Sequence, residues 1–190
     1  MASRASFLTG LYPEQNGVSR LHHKLRDKVP KVATLPQILK ENGYHTAAVG
    51  KIFHFNVPSG IGSPNYDVDP ISWSESHNPA GIDRTSAKEI KYLGPHINEK
   101  SKDSNMNGGW LSTIRLGGSR SDYTDGKITN LASKILTNMS KNQDDKPFFL
   151  AVGYVRPHVP FSAPEHFFDL YPTTKISTES VPKNDREDIP

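Results

Sequence analysis

Apolar positions in this chain fall into two periodic blocks with a long aperiodic stretch between them. In the first block, Ser3 to Tyr12 reads as a short helix, with Gly10 near its end and Pro13 beyond it as a stop. A polar, basic loop follows to Val32. Thr34 then offers an N-cap hydroxyl, Pro36 suits a first turn, Leu35, Ile38 and Leu39 share one face, and Gly43 caps the end. His45 to Val49 follows as a short strand ending at Gly50-Lys51. Helix, tight turn, strand and loop in that order form a unit of an α/β fold, in which sites collect at the carboxyl ends of strands.

The second block opens with a helix predicted from Asp122 to Ser140, where Ile128, Leu131, Ala132, Ile135, Leu136 and Met139 follow the helical period. After a polar turn, Phe148 to Tyr154 is an unbroken apolar run, the pattern of a parallel strand covered on both faces. Between the blocks, Phe55 to Arg120 is rich in Gly, Pro, Ser and Asn. It is expected to run as a long surface excursion that either shapes a pocket with Trp73, His77, His96 and Trp110 or is a variable insertion. The tail, residues 173–190, is polar and expected to fray.

Composition narrows the classes. The 190 residues are of one-domain size, and 34% hydrophobic with 9% aromatic residues can furnish a core. The longest apolar run, Phe148 to Val155, is far short of the roughly 20 residues of a membrane span. A net charge of +3, spread along the chain, gives no nucleic-acid-binding stripe. Without cysteine, these residues make no disulfide, thiolate metal site or cysteine nucleophile. Met1-Ala2-Ser3-Arg4 lacks the features of a secretory signal, so the expectation is a cytoplasmic chain or one whose true start lies upstream.

Three features carry candidate chemistry: Arg4 in the first helix, Lys51 with His54 after the first strand, and His158 between Pro157 and Pro160 after the second. Taken singly, an arginine near a helix start is more often a solvated charge, and Lys51 and His54 are ordinary. Brought together at one sheet edge, two cations and two imidazoles would hold a tetrahedral oxyanion such as sulfate or phosphate.

The same segments resemble the sulfatase family. Ser3-Arg4-Ala5-Ser6-Phe7-Leu8-Thr9-Gly10 matches the latter part of the signature Cys-x-Pro-Ser-Arg-x-x-x-Leu-Thr-Gly. Val49-Gly50-Lys51 with His54 is similar to its Gly-Lys-x-His element, the histidine lying one residue further out. Lys146 to Tyr154 running into Arg156-Pro157-His158-Val159-Pro160-Phe161 is similar to the iduronate-2-sulfatase subgroup.

The resemblance implies an alkaline-phosphatase-like α/β domain with a mostly parallel central sheet flanked by helices. Residues 1–190 would form an incomplete catalytic domain, its front half without the first strand. It implies sulfuric ester hydrolysis on sulfated sugars or polysaccharides by a formylglycine nucleophile. Arg4 would hold that group, Lys51 would bind a sulfate oxygen, His54 would act as base, and His158 would contact sulfate and protonate the leaving oxygen. Calcium is implied as cofactor in the full-length family member, with no ligand among these residues. The cysteine itself would stand just ahead of Met1, with Ala2 where the signature has proline. An unpaired parallel sheet implies a marginally stable chain prone to self-association. The alternatives are an inactive, anion-binding remnant, or a phosphohydrolase of the same superfold, against which the Ser-Arg-x-x-x-Leu-Thr-Gly segment argues. Relatives are usually secreted, periplasmic or lysosomal.

Overall fold

The first strand of the chain, β1 (His45–Gly50), is buried at every position after His45, and this burial organises everything around it. A computed structural model of the chain describes residues 2–64, 66, 68–86, 90–92, 112–141, 146–177, 180, 182, 184, 185 and 187. In it β1 lies between β2 (Glu75–His77) and β5 (Phe148–Gly153), and both pairs are parallel. A second sheet joins β3 (Ile90–Tyr92), antiparallel, and β6 (Phe161–Pro164), parallel, to the two edges of β4 (Ser112–Leu116). The expected parallel central sheet is present; the small mixed sheet was not anticipated.

Strand alternation divides the core. Ala47 and Val49 face one way, onto Ile128, Ala132 and Ile135 of α6 (Thr124–Lys141), with Phe55, Ile61 and Val155 completing the cluster. Ala48 faces the other way, onto Ala5 and Leu8 of α1 (Ala2–Thr9), with Val18, Leu25, Phe53 and Trp73. Burying a side chain such as Ile128 or Leu8 contributes about 2 kcal/mol, so this two-sided cover holds β1 between the layers.

Several expectations change. The basic loop to Val32 contains two short helices, α2 (Pro13–Asn16) and α3 (Leu25–Lys28), so Pro13 starts a helix as well as following one. In α4 (Leu35–Glu41) the Thr34 hydroxyl does accept from the Gln37 N–H at 3.2 Å, but Leu35 and Ile38 are exposed and Pro36 is the buried residue. That helix packs through its first turn, against the turn Pro70–Ser72. In α6 the stripe is narrower than its periodicity implied, because Leu136 is exposed. Strand β5 is half covered: Phe149 and Ala151 pack on the α1 side and Leu150 on the α6 side, while Phe148 and Val152 are exposed. Among the described residues β5 has one paired neighbour, β1, and that open edge explains the exposure.

The stretch 55–120, read as a surface excursion, contributes β2 to the central sheet and Phe55, Ile61 and Trp73 to the core. Its lack of periodicity has a simple cause: short strands and turns of three residues leave no repeat to detect. Trp73, expected in a pocket wall, is buried, donates from its ring to the Val68 carbonyl at 2.8 Å and stacks on Phe149. His77 pairs with Glu75 at 2.8 Å. The predicted roles of His96 and Trp110 lie outside the described residues.

Candidate active site

The carboxyl end of β1 is shaped by two glycines in register. Gly50 and Gly153 are partners across β1 and β5. Gly50 has φ of 79°, and a Cβ there would lie 2.2 Å from the Gly153 carbonyl oxygen. A Cβ on Gly153 would lie 2.1 Å from the Lys51 carbonyl oxygen. Only glycine permits this approach. It lets the Lys51 N–H donate to Gly153 at 2.7 Å, fixing Lys51 at the strand end.

Lys51 is 4% exposed. Its ammonium sits 5.3 Å from the centre of the Phe55 ring and makes no hydrogen bond to any described residue. Burial, and then the nearby Arg4 charge, hold its pKa down at about 8. Arg4, carried on the third position of α1, donates from Nη1 to the carbonyls of Lys51 and of Ile52, the latter at 2.8 Å. Burial lowers its pKa as well. The two cations line one cleft of about 540 Å³ together with Ser3, Phe7, Phe149 and Tyr154. No carboxylate is among the described residues of that lining. Two partly desolvated cations of like sign, brought together with no counter-charge among the described lining residues, are an arrangement that an anion would stabilise.

His54 follows three residues later, in the neighbouring cleft of about 380 Å³ that also holds Phe55 and Tyr66. Its pKa is lowered to about 4, by burial first and then by Lys51, with His158 and Arg4 adding to it. The ring is therefore neutral at physiological pH and able to accept a proton. His54 thus feels the charges of Lys51, His158 and Arg4, and of the four predicted residues Arg4 and Lys51 share one cleft wall.

His158 is exposed on the loop between β5 and β6. Its Nδ1 lies 2.6 Å from the Val159 carbonyl. A carbonyl only accepts, so Nδ1 carries the hydrogen of the neutral ring and Nε2 is left as the basic nitrogen. The loop is tied by charge. Arg156 donates to the His158 carbonyl at 2.9 Å and to the Pro160 carbonyl, and pairs with Asp83 at 2.6 Å. Asp125, in the first turn of α6, accepts from the backbone N–H of Val155 at 2.8 Å and of Arg156 at 3.0 Å. Asp83 belongs to α5 (Ile82–Thr85) and also accepts from the Thr124 N–H and hydroxyl at 2.8 and 2.7 Å. Sequence reasoning missed Asp83 and Asp125, since nothing local marks a carboxylate whose partner lies 73 positions away, as for Asp83, or 30 and 31 positions away, as for Asp125.

Comparison with known proteins bears on this geometry. The sulfatase family profile matches residues 1–188. Iduronate 2-sulfatase of Homo sapiens is 34% identical over 183 residues, covering 95% of this chain and 30% of that protein. A sulfatase of Formosa agariphila is 28% identical over 196 residues, covering 99% of this chain and 35% of its own length. The chain thus spans about a third of the relatives it matches. Among solved structures, Ps i-CgsB in complex with k-i-k-neocarrahexaose superposes with a TM-score of 0.53 at 19% identity, over 93% of this chain and 38% of that one. The phosphonate monoester hydrolase of Agrobacterium radiobacter gives 0.54 at 20% identity, over 93% and 35%. At such identities the likeness establishes the fold, the alkaline-phosphatase-like α/β architecture.

Proposed function

Because this chain belongs to the sulfatase family, we propose that it carries the cationic and imidazole part of the active site of a sulfuric ester hydrolase acting on sulfated sugars. The observation that supports this most is the pairing of Arg4 with the buried ammonium of Lys51, which has no hydrogen-bond partner among the described residues, at the carboxyl end of β1. A cation kept out of water without a carboxylate is stabilised when an oxyanion enters, and the stabilisation grows as charge builds on the transferring group.

In this reading Lys51 binds a sulfate oxygen and Arg4 balances the negative charge around the nucleophile. His54, neutral above about pH 4, takes a proton at its free ring nitrogen. His158 contacts the sulfate and, once protonated at Nε2, returns a proton to the departing sugar oxygen. Where the whole signature is present, a formylglycine four positions ahead of Arg4 supplies the attacking hydroxyl.

The calcium that the family resemblance implies was tested against the residues present. Among the described residues no three of His, Cys, Asp and Glu come together as a metal cage, and the cleft lining offers cations where calcium needs oxygen ligands. The residues do not fit the ion, and no step here runs through it.

The test is hydrolysis of 4-nitrophenyl sulfate and 4-nitrophenyl phosphate by the intact protein with its complete signature. Sulfate ester turnover is expected, with Lys51→Ala lowering kcat/KM by about 100-fold, the usual effect of removing one oxyanion contact. Turnover of the phosphate ester alone would overturn the reading. So would an undiminished rate in Lys51→Ala.

A further inference from the structure

Every polar group of His158 but one is engaged within the chain. Its backbone N–H donates to the Val155 carbonyl at 3.1 Å, its carbonyl accepts from Arg156 Nη1 at 2.9 Å, and its Nδ1 donates to the Val159 carbonyl. Nε2 has no hydrogen-bond partner among the described residues. The loop is anchored in the interior at both ends, since Val155 and Pro160 are buried while His158 between them is exposed.

One side chain ties these anchors to the histidine. Arg156 donates from Nη1 to the carbonyls of His158 and Pro160 and from Nη2 to Asp83 Oδ2 at 2.6 Å, while its Nε is buried without a partner among the described residues. Its hold on the loop therefore runs through the two terminal nitrogens of the planar fork, which a single ammonium cannot reproduce. Asp83 is itself fixed, because its Oδ1 accepts from the Thr124 N–H and hydroxyl at the start of α6. The same turn supplies Asp125, whose carboxylate holds the N–H groups of Val155 and Arg156. Lys51 depends on none of these contacts, being placed by strand register and its bond to Gly153. Loosening the clamp would therefore swing Nε2 and leave Lys51 where it is.

We infer that Arg156, held by Asp83, is a positioning residue: it fixes the direction in which His158 presents Nε2 to the departing oxygen, and so decides how poor a leaving group the site can expel. The inference rests on the sulfatase reading above and deepens it. As the bond from sulfur to the leaving oxygen breaks, its electron pair stays on that oxygen and takes the proton carried by Nε2, and the ring returns to the neutral form with hydrogen on Nδ1. The transfer needs Nε2 within hydrogen-bond reach of the oxygen, so a displaced ring loses this step while the oxyanion contacts at Lys51 persist.

The probes are 4-nitrophenyl sulfate and phenyl sulfate, alike in shape and different in the acidity of the phenol released. 4-Nitrophenol departs as its anion, whereas phenol, like a sugar hydroxyl, departs fast only when a proton reaches its oxygen. Turnover is measured on the intact protein with its complete signature, as wild type, Arg156→Lys, Asp83→Asn, His158→Ala and the Arg156→Lys/His158→Ala double variant. Arg156→Lys keeps a positive charge beside Asp83, and Asp83→Asn keeps an acceptor for Thr124, so neither strands a buried charge beside an apolar side chain. In Arg156→Lys, kcat for phenyl sulfate is expected to fall about 100-fold, the lower range for one general acid, and kcat for 4-nitrophenyl sulfate by less than about threefold. Asp83→Asn should show the same preference more weakly, with a fall of about tenfold on phenyl sulfate. His158→Ala should lose at least as much on phenyl sulfate as Arg156→Lys, and combining the two should cost nothing further. Equal losses on the two esters would reduce the clamp to support of the fold, and losses that multiply in the double variant would separate Arg156 from His158; either result overturns the inference. Failure of the sulfatase reading looks different, because the wild type itself would then turn over neither sulfate ester.

Discussion

Arg4 lines the cleft of Lys51 and Arg156 ties the loop of His158, and the two are balanced in opposite ways. Arg156 has a carboxylate, Asp83, at 2.6 Å from Nη2, and its Nη1 donates to the carbonyls of His158 and Pro160. Among the described residues Arg4 donates only to the carbonyls of Lys51 and Ile52, and it faces a second cation. A guanidinium with its own carboxylate is neutralised in the folded chain and acts as a clamp. One without it leaves a charge that the fold does not answer, and an anionic ligand can. The two halves of the site therefore differ in how they are held. Lys51 is placed by backbone: strand register and a glycine pair. His158 is placed by side-chain charge.

The sharpest way to break the charge-held half is Asp83→Ala. Asp83 is 2% exposed at its side chain, and its loss strands Arg156 and removes two hydrogen bonds from Thr124. Breaking a buried pair from one side typically costs about 4 kcal/mol, and urea unfolding should show a loss of that order. Arg4→Met supplies the contrast. It loses two hydrogen bonds to carbonyls but relieves repulsion on Lys51, so its stability should stay within about 1 kcal/mol of wild type. A large loss in Arg4→Met with a small one in Asp83→Ala would invert the comparison.

The backbone-held half is broken by Gly50→Ala. The substitution adds a side chain at φ of 79° and drives a Cβ to 2.2 Å from the Gly153 oxygen. Left-handed strain together with overpacking against backbone is expected to cost about 3 kcal/mol. Sulfate affinity should fall with it, because β1 and β5 must separate and Lys51 moves with the strand end. If Gly50→Ala unfolds at the wild-type urea midpoint, the glycine pair does not set the position of Lys51.

That division also explains what the sequence disclosed. The buried strand β1, helix α6 and the glycine before Lys51 all carry local signals: apolar runs, a helical period and a glycine at a strand end. Arg4, Lys51, His54 and His158 were picked out by their motifs, and the structure lines one cleft with Arg4 and Lys51. Asp83 and Asp125 were not picked out, because a salt bridge across 73 positions and bonds to backbone N–H groups 30 and 31 positions away leave no trace in a local window. The zone from Phe55 to Arg120 was misjudged for a related reason. Its strand β2 is three residues long and is recognisable only by pairing with β1. Leu35 and Ile38 show the converse failure, since an apolar stripe states which face could be buried and not what lies opposite it.

The smallest effect separates the two halves by pH. Burial, followed by the charge of Arg4, lowers the Lys51 pKa from the ordinary value of 10.5 to about 8. Sulfate binding requires the ammonium, so affinity for inorganic sulfate should be flat below about pH 7 and fall by up to about tenfold per unit above pH 8. Folding moves the other way. Between about pH 8 and 10.5 the unfolded chain keeps the Lys51 proton that the folded chain has lost, so this group's contribution to stability rises with pH across that window. Lys51→Arg keeps its charge throughout, and both slopes should vanish in it. A fall in sulfate affinity that persists in Lys51→Arg would place the titrating group elsewhere, and with it the claim that the unanswered cation at the end of β1 is what the anion meets first.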